Sequence, residues 1–117
     1  MNLPKPALPG FWHCPMSESH RDEPGWYSGV LERLGDTKLD LVLVDGPSGS
    51  FHARSREPAL PRLFSHLSEH ATVILDDAAR AGEQAIMESW KKAFPQMDVR
   101  FHRRGKGCAE FRMTSRA

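Results

Sequence analysis

Three aspartates at the ends of two apolar runs are the residues of this chain best suited to chemistry. Leu39 to Val44 reads LDLVLV and is followed by Asp45, and Thr72 to Leu75 reads TVIL and is followed by Asp76 and Asp77. Continuous apolar runs of this length are typical of strands that are buried on both faces of a parallel sheet. Open α/β sheets bind ligands beyond the carboxyl ends of their strands, so the three carboxylates are predicted to lie where ligands bind.

The sequence leaves two roles open for these aspartates. Carboxylates brought close together repel one another unless a cation, a basic group or a proton intervenes, and oxygen ligands suit Mg²⁺, Ca²⁺ or Mn²⁺ better than Zn²⁺. Aspartate after a strand is also a common turn residue, and Asp77 could simply cap the following helix. Arg80 could neutralise the pair formed by Asp76 and Asp77, which would remove the need for a metal.

The elements that must position these aspartates alternate along the chain. Apolar residues at helical spacing predict a short helix that ends at Gly35, a second helix with an apolar face from Leu60 to Leu67, and a third from about Ala81 to Phe94. Pro58 is tolerable in the second helix because it falls in a first turn. Helices that alternate with strands favour an open α/β sheet with helices on both faces.

The end of the chain departs from this alternation. Two strand-like segments, Met97 to Arg103 and Cys108 to Met113, are separated by RGKG, which predicts an antiparallel β-hairpin. Basic side chains gather around this turn at Arg100, His102, Arg103, Arg104 and Lys106. Such a cluster could contact an acidic partner, but charge at a hairpin tip is usually solvated and protects an edge strand.

Length and composition favour one soluble domain. The 117 residues carry 16 basic and 15 acidic side chains, a balance that indicates neither a nucleic-acid binder nor a membrane binder. Residues 1–25 are predicted to form an irregular arm because most of the prolines fall there, and residues 26–117 to form the α/β domain. Cys14 and Cys108 are interpreted as free thiols in a reducing compartment, so we expect a cytoplasmic protein.

Four stretches in order carry a family resemblance: LDLVLVDGP, PALPRLFSHL, TVILDDAARAGEQAIMESW and GKGCAEFRM. Together they resemble the C-terminal half of a class I S-adenosylmethionine-dependent methyltransferase, nearest to bacterial small-molecule O-methyltransferase-like proteins. The resemblance covers Trp26 to Met113. It implies a truncated Rossmann-like methyltransferase sheet, with parallel strands, flanking helices and a C-terminal antiparallel hairpin, in which the two apolar runs are the fourth and fifth of seven strands.

The resemblance also implies an activity, which is methyl transfer from S-adenosylmethionine to the oxygen of a small-molecule substrate. In metal-dependent members similar to catechol O-methyltransferase, a carboxylate after the fourth strand and an acidic pair after the fifth hold a divalent cation such as Mg²⁺. Asp45, Asp76 and Asp77 match those three positions. The cation would bind the substrate hydroxyl and orient it toward the sulfonium methyl.

Three further residues are candidates for the site. Trp26 and Tyr27 fall where the family's substrate-facing loop runs, although an aromatic pair that opens a helix more often belongs to the core. His52, on the Gly-Ser loop after the first aspartate, is the candidate catalytic base, although a solvated loop histidine is the commoner case.

The cofactor half of the family pattern has no counterpart in this sequence. The family holds its cofactor with the first strand, a glycine-rich turn and an acidic residue at the end of the second strand, and none of these precedes Trp26. We therefore assign no cofactor-binding residue and expect the isolated chain to be inactive. The edge of LDLVLVD would then be open to the N-terminal arm, to a second copy in a homo-oligomer or to a complementary N-terminal half. The alternative is a non-catalytic remnant or interaction module that associates through that edge.

Overall fold

A computed structural model describes residues 14–17, 25–47 and 54–114 of the chain. This part of the chain contains three α-helices and four strands, and their order confirms the predicted alternation and the terminal hairpin. The elements are α1 (Val30–Leu34), β1 (Leu39–Val44), α2 (Ala59–Leu63), β2 (Leu67–Asp76), α3 (Ala81–Ala93), β3 (Met97–His102) and β4 (Cys108–Met113). Among the helices described, none combines the length and the apolar character that a membrane crossing would require.

The four strands form one open mixed sheet in the order β1-β2-β4-β3. β1 and β2 are parallel, whereas β4 is antiparallel to both β2 and β3. The prediction of a parallel sheet therefore holds for one pair of strands, and the hairpin supplies the rest of the sheet. β1 and β3 are consequently the two edges.

α2 is shorter than the apolar spacing suggested. The helix ends at Leu63, a single 3₁₀ turn covers Phe64–His66, and Leu67 already begins β2. The predicted extension of the helical face to Leu67 is wrong, although Leu67 is buried as expected. Pro61 fits because the first turn of a helix needs no backbone donor at that position.

The core lies between one face of the sheet and the helices. Val73, Leu75 and Phe111 point to this face and are at most 1% exposed. Trp90 of α3 packs edge-on against Phe111, with 5.4 Å between ring centroids, and its indole N–H donates to the Glu57 carbonyl at 2.9 Å. Each buried side chain of this size contributes roughly 2 kcal/mol to folding, so these contacts fix α3 against the centre of the sheet.

The opposite face of the sheet is bare at β1. Leu41 and Leu43 alternate with the inward-facing Val42 and Val44, and they are 64% and 63% exposed. The prediction that this strand is buried on both faces is therefore wrong for the described residues. A continuous apolar run shows that both faces of a strand are apolar, but it does not show that both are covered.

Candidate acidic site at the carboxyl ends of β1 and β2

The parallel pairing of β1 with β2 brings the three predicted aspartates together. Val44 lies opposite Leu75 in the sheet, so Asp45 and Asp76 follow at the same level where the two strands end. Asp77 comes next with a left-handed backbone (φ 54°), which turns the chain at this point. Carboxylate oxygens of the three residues lie within 4.8 Å of one another, and we call this group the acidic cluster.

The capping role considered for Asp77 is wrong. α3 begins at Ala81, and the residue at its N-cap position is Arg80, not Asp77. The turn between Asp77 and α3 is instead held by the hairpin, because the backbone N–H groups of Ala78 and Ala79 donate to the carbonyls of Gly107 and Lys106 at 3.1 and 3.0 Å. The turn that carries Asp77 is therefore positioned by the turn between β3 and β4 as well as by β2.

Arg56 lies beside the acidic cluster and was not singled out by the sequence. It is only 5% exposed, and its guanidinium donates to the carbonyls of Pro47 and Asp76 at 3.2 and 3.0 Å. The same group lies 3.8 Å from an Asp45 carboxylate oxygen and 3.9 Å from one of Asp77. These longer distances mean that the guanidinium is anchored by backbone carbonyls and offsets the charge of the carboxylates without hydrogen bonding at those two oxygens.

Arg80 offsets only part of the negative charge of the acidic cluster, whereas the sequence left open that it neutralises the pair formed by Asp76 and Asp77. Its guanidinium makes two hydrogen bonds to Glu83, at 3.1 and 3.0 Å, and lies 3.6 Å from an Asp77 oxygen. Glu83 is 4% exposed and needs this partner, because a buried carboxylate without one is costly. The carboxylates of Asp45, Asp77 and Glu83 therefore share two guanidinium groups, and with Asp76 the described residues of the site carry four acidic groups against two basic ones.

The acidic cluster fits a divalent cation. It offers three carboxylates, which are the ligands that Mg²⁺ and Ca²⁺ prefer, and the Asp45 side chain is 62% exposed so that an ion can enter from solvent. Arg56 and Arg80 compete with such an ion because they lower the negative potential that attracts it. The arrangement of the three carboxylates permits a cation at this site.

Trp26 and Tyr27 lie next to this site. Together with side chains of α1, β1 and α2 they line an open groove of about 350 Å³ that reaches Asp45 and Gly46. A Cβ atom at position 46 would lie 2.8 Å from the Tyr27 hydroxyl, so a larger residue there would displace the end of that side chain. Trp26 is 6% exposed and belongs to the core, as the alternative interpretation held, whereas Tyr27 is half-buried. Their role in binding a substrate stays a prediction.

The predicted base, His52, lies outside the described residues, and its role stays a prediction. The described residues on the two sides of His52 are joined by hydrogen bonds. The Pro47 carbonyl accepts hydrogen bonds from both the Ser55 hydroxyl, at 3.1 Å, and Arg56. Beside them, a hydrogen bond with Glu57 raises the pKa of Arg54 above its usual value, and the charge of Glu57 acts in the same direction.

Comparisons with protein-family models, with curated proteins and with solved structures found no match to this chain. Function is therefore inferred from the residues and their geometry.

Proposed function

We propose that the acidic cluster is the cation-binding and substrate-oxygen-binding half of a methyl-transfer site, of the S-adenosylmethionine-dependent O-methyltransferase kind that the motifs resemble. The observation that carries this proposal is the convergence of three carboxylate oxygens within 4.8 Å at the ends of two parallel strands. Support also comes from the parallel pairing of β1 with β2 and from the antiparallel β3–β4 hairpin beside β2, since the resemblance implies parallel fourth and fifth strands and a final antiparallel hairpin.

The residues of the proposed site would have separate roles. Asp45, Asp76 and Asp77 would hold a divalent cation, which supplies Lewis acidity and a fixed position for a hydroxyl oxygen. Arg56 keeps the two strand ends at a constant separation, because it donates to a carbonyl after β1 and to the last carbonyl of β2. The apolar groove beside Asp45, with Tyr27 in its wall, would orient a small substrate.

The first prediction is that the 117-residue chain binds Mn²⁺ once per molecule at the acidic cluster. Asp45→Asn, Asp76→Asn and Asp77→Asn should each weaken binding about tenfold or more, because each removes one of three charged ligands. Isothermal titration calorimetry measures the affinity, and the electron paramagnetic resonance spectrum of Mn²⁺ reports whether the ion is bound.

Asp98→Asn is the matched control for these variants. It removes the same charge from an exposed position on β3, far from the cluster, and should leave the affinity for Mn²⁺ unchanged. Equal weakening by the control and the cluster variants would show that only the net charge matters. Saturation that is independent of all three cluster residues would refute the proposed site.

The second prediction concerns the cofactor. Since the sequence before Trp26 offers no strand followed by a glycine-rich turn, the chain alone should bind S-adenosylmethionine no more tightly than the millimolar range. Titration calorimetry with S-adenosylmethionine, in the presence of Mg²⁺, tests this directly. A micromolar dissociation constant would contradict the view that this chain carries only the substrate and metal side of the site.

A further inference from the structure

We infer that Gly107 is a positioning residue for Asp77, and that the turn between β3 and β4 sets the geometry of the acidic cluster. This turn comprises residues 103–107, and we call it the hairpin turn. The inference rests on the function proposed above, because a cation at the cluster is what the positioning would serve. It is carried by the backbone of Asp77, by the contacts on both sides of that residue and by the space around Gly107.

Asp77 has a left-handed backbone, which is uncommon for a residue that carries a Cβ atom. Its φ is 54°, and the other described residues with a positive φ are all glycines. Such a conformation persists where the surrounding structure holds it. Because the backbone conformation decides where the side chain points, whatever holds the Asp77 backbone also holds its carboxylate beside those of Asp45 and Asp76.

The hairpin turn and the start of β4 hold the chain on both sides of Asp77. Before it, Asp76 is the partner of Cys108 in the antiparallel pairing of β2 with β4. After it, the next two backbone N–H groups donate to two carbonyls of the hairpin turn, at 3.1 and 3.0 Å. Asp77 therefore lies between neighbours that are each attached to the end of the hairpin.

Gly107 permits the close approach that these hydrogen bonds need. A Cβ atom at this position would lie 3.0 Å from the backbone nitrogen of Ala79, 3.1 Å from the Ala79 Cβ and 3.2 Å from the Cζ of Phe101. A backbone nitrogen cannot swing aside as the end of a long side chain can, so a larger residue here must push the two turns apart. Gly105 is also left-handed, with φ 58°, but a Cβ atom there would meet nothing within 4 Å.

Separation of the two turns would be felt at the acidic cluster. Ala78 and Ala79 follow Asp77 directly, so a shift of their backbone changes the distances between the Asp77 carboxylate and the other two. Groups that orient metal ligands without touching the metal typically change metal affinity by roughly 10–100-fold when they are altered. Gly107 has no side chain to offer a cation, so its effect on binding passes through Asp77.

Gly107→Ala in the 117-residue chain tests the contact, and Gly105→Ala is its matched control. Both variants add a methyl group to a left-handed residue of the hairpin turn, but only the methyl group at 107 meets Ala79. In hydrogen exchange followed by NMR, the amides of Ala78 and Ala79 should exchange about tenfold faster in Gly107→Ala than in Gly105→Ala. Equal exchange in the two variants would overturn the inference.

The affinity for Mn²⁺ is the second measurement, made by titration calorimetry at a temperature where urea unfolding shows each variant to be folded. Gly107→Ala should bind Mn²⁺ about tenfold more weakly than the wild type, whereas Gly105→Ala should keep the affinity of the wild type. A residue with a merely structural role would lower the free energy of unfolding and leave the affinity of the folded protein unchanged.

The two measurements separate this inference from the proposed function. If the wild type binds Mn²⁺ at the acidic cluster and Gly107→Ala binds it equally well, the role of Gly107 is wrong and the proposed function stands. Equal weakening in Gly107→Ala and Gly105→Ala would also overturn the inference, because strain in the hairpin turn would then explain the loss. If the wild type binds no Mn²⁺, the proposed function fails and the role of Gly107 fails with it.

Discussion

The two edges of the sheet are built for different surroundings. On the bare face of the sheet, β3 carries Asp98 opposite Arg112 of β4, and Arg100 opposite Glu110. These cross-strand neighbours have opposite charges, which is a stabilising arrangement on a solvated face. Charged side chains on an edge strand also discourage pairing with other chains, so the β3 edge is suited to water.

The β1 edge has the reverse character on the same face. There Leu41 lies opposite Thr72 and Leu43 lies opposite Ile74, and the two leucines are the most exposed large apolar side chains described. An apolar stripe beside an unpaired edge is a surface that solvent does not stabilise. The two edges therefore differ in side-chain chemistry, because the described part of β3 presents charged pairs to solvent whereas β1 presents exposed leucines.

The largest effect on stability is expected at Arg56, which supports the β1 end of the sheet. Arg56→Met removes a buried cation that bonds two carbonyls beside the acidic cluster, and it should lower the free energy of unfolding by about 2–4 kcal/mol. Arg112→Met, at an exposed position on β4, should cost less than about 1 kcal/mol. Urea unfolding measures both values. Equal costs would show that Arg56 does not support the β1 end of the sheet in the way described.

Much of the fold could be read from residue patterns, because each element buries a face with its own period. The helical spacing that ends at Gly35 and the hairpin around RGKG are both found as predicted. The exposure of Leu41 could not be read in this way, because the sequence of a strand does not report what lies over it. Which strands become neighbours is likewise set by tertiary packing and not by local pattern.

The candidate site was predictable to the same degree. Asp45, Asp76 and Asp77 could be named because carboxylates at the ends of parallel strands converge in any sheet of this type. Arg56 could not, since it lies in the turn before α2 and meets the cluster only through contacts to the Pro47 and Asp76 carbonyls. No spacing rule connects a turn residue to carbonyls at the ends of two strands.

An effect of intermediate size is expected when charged side chains are placed on the β1 edge and an apolar side chain is placed on the β3 edge. Replacing Leu41 and Leu43 by lysine should raise the protein concentration at which static light scattering first detects association, because charge blocks edge pairing. The free energy of unfolding should change by no more than about 0.5 kcal/mol, since both side chains are exposed.

Arg100→Leu on β3 is the reciprocal variant and should lower that same concentration. If Arg100→Leu changes the association of the protein but the lysine variants of Leu41 and Leu43 do not, molecules do not associate through β1. The difference described between the two edges would then be wrong.

The smallest effect is expected from the charges of the β3 and β4 pair. Glu110 contacts Arg112 at 2.8 Å, lies 3.8 Å from His102 and faces Arg100 across the strands. Glu110→Gln keeps the shape of the side chain and removes its charge, so it should cost about 0.2–1 kcal/mol in dilute buffer. In about 1 M salt, where charges are screened within ~3 Å, most of this cost should vanish.

Ile74→Val, its counterpart beside β1, removes one methylene group, and its cost should be independent of salt. Urea unfolding at the two salt concentrations distinguishes the variants. If the loss of unfolding free energy in Glu110→Gln persists in high salt, packing and not charge stabilises the pairing of β3 with β4.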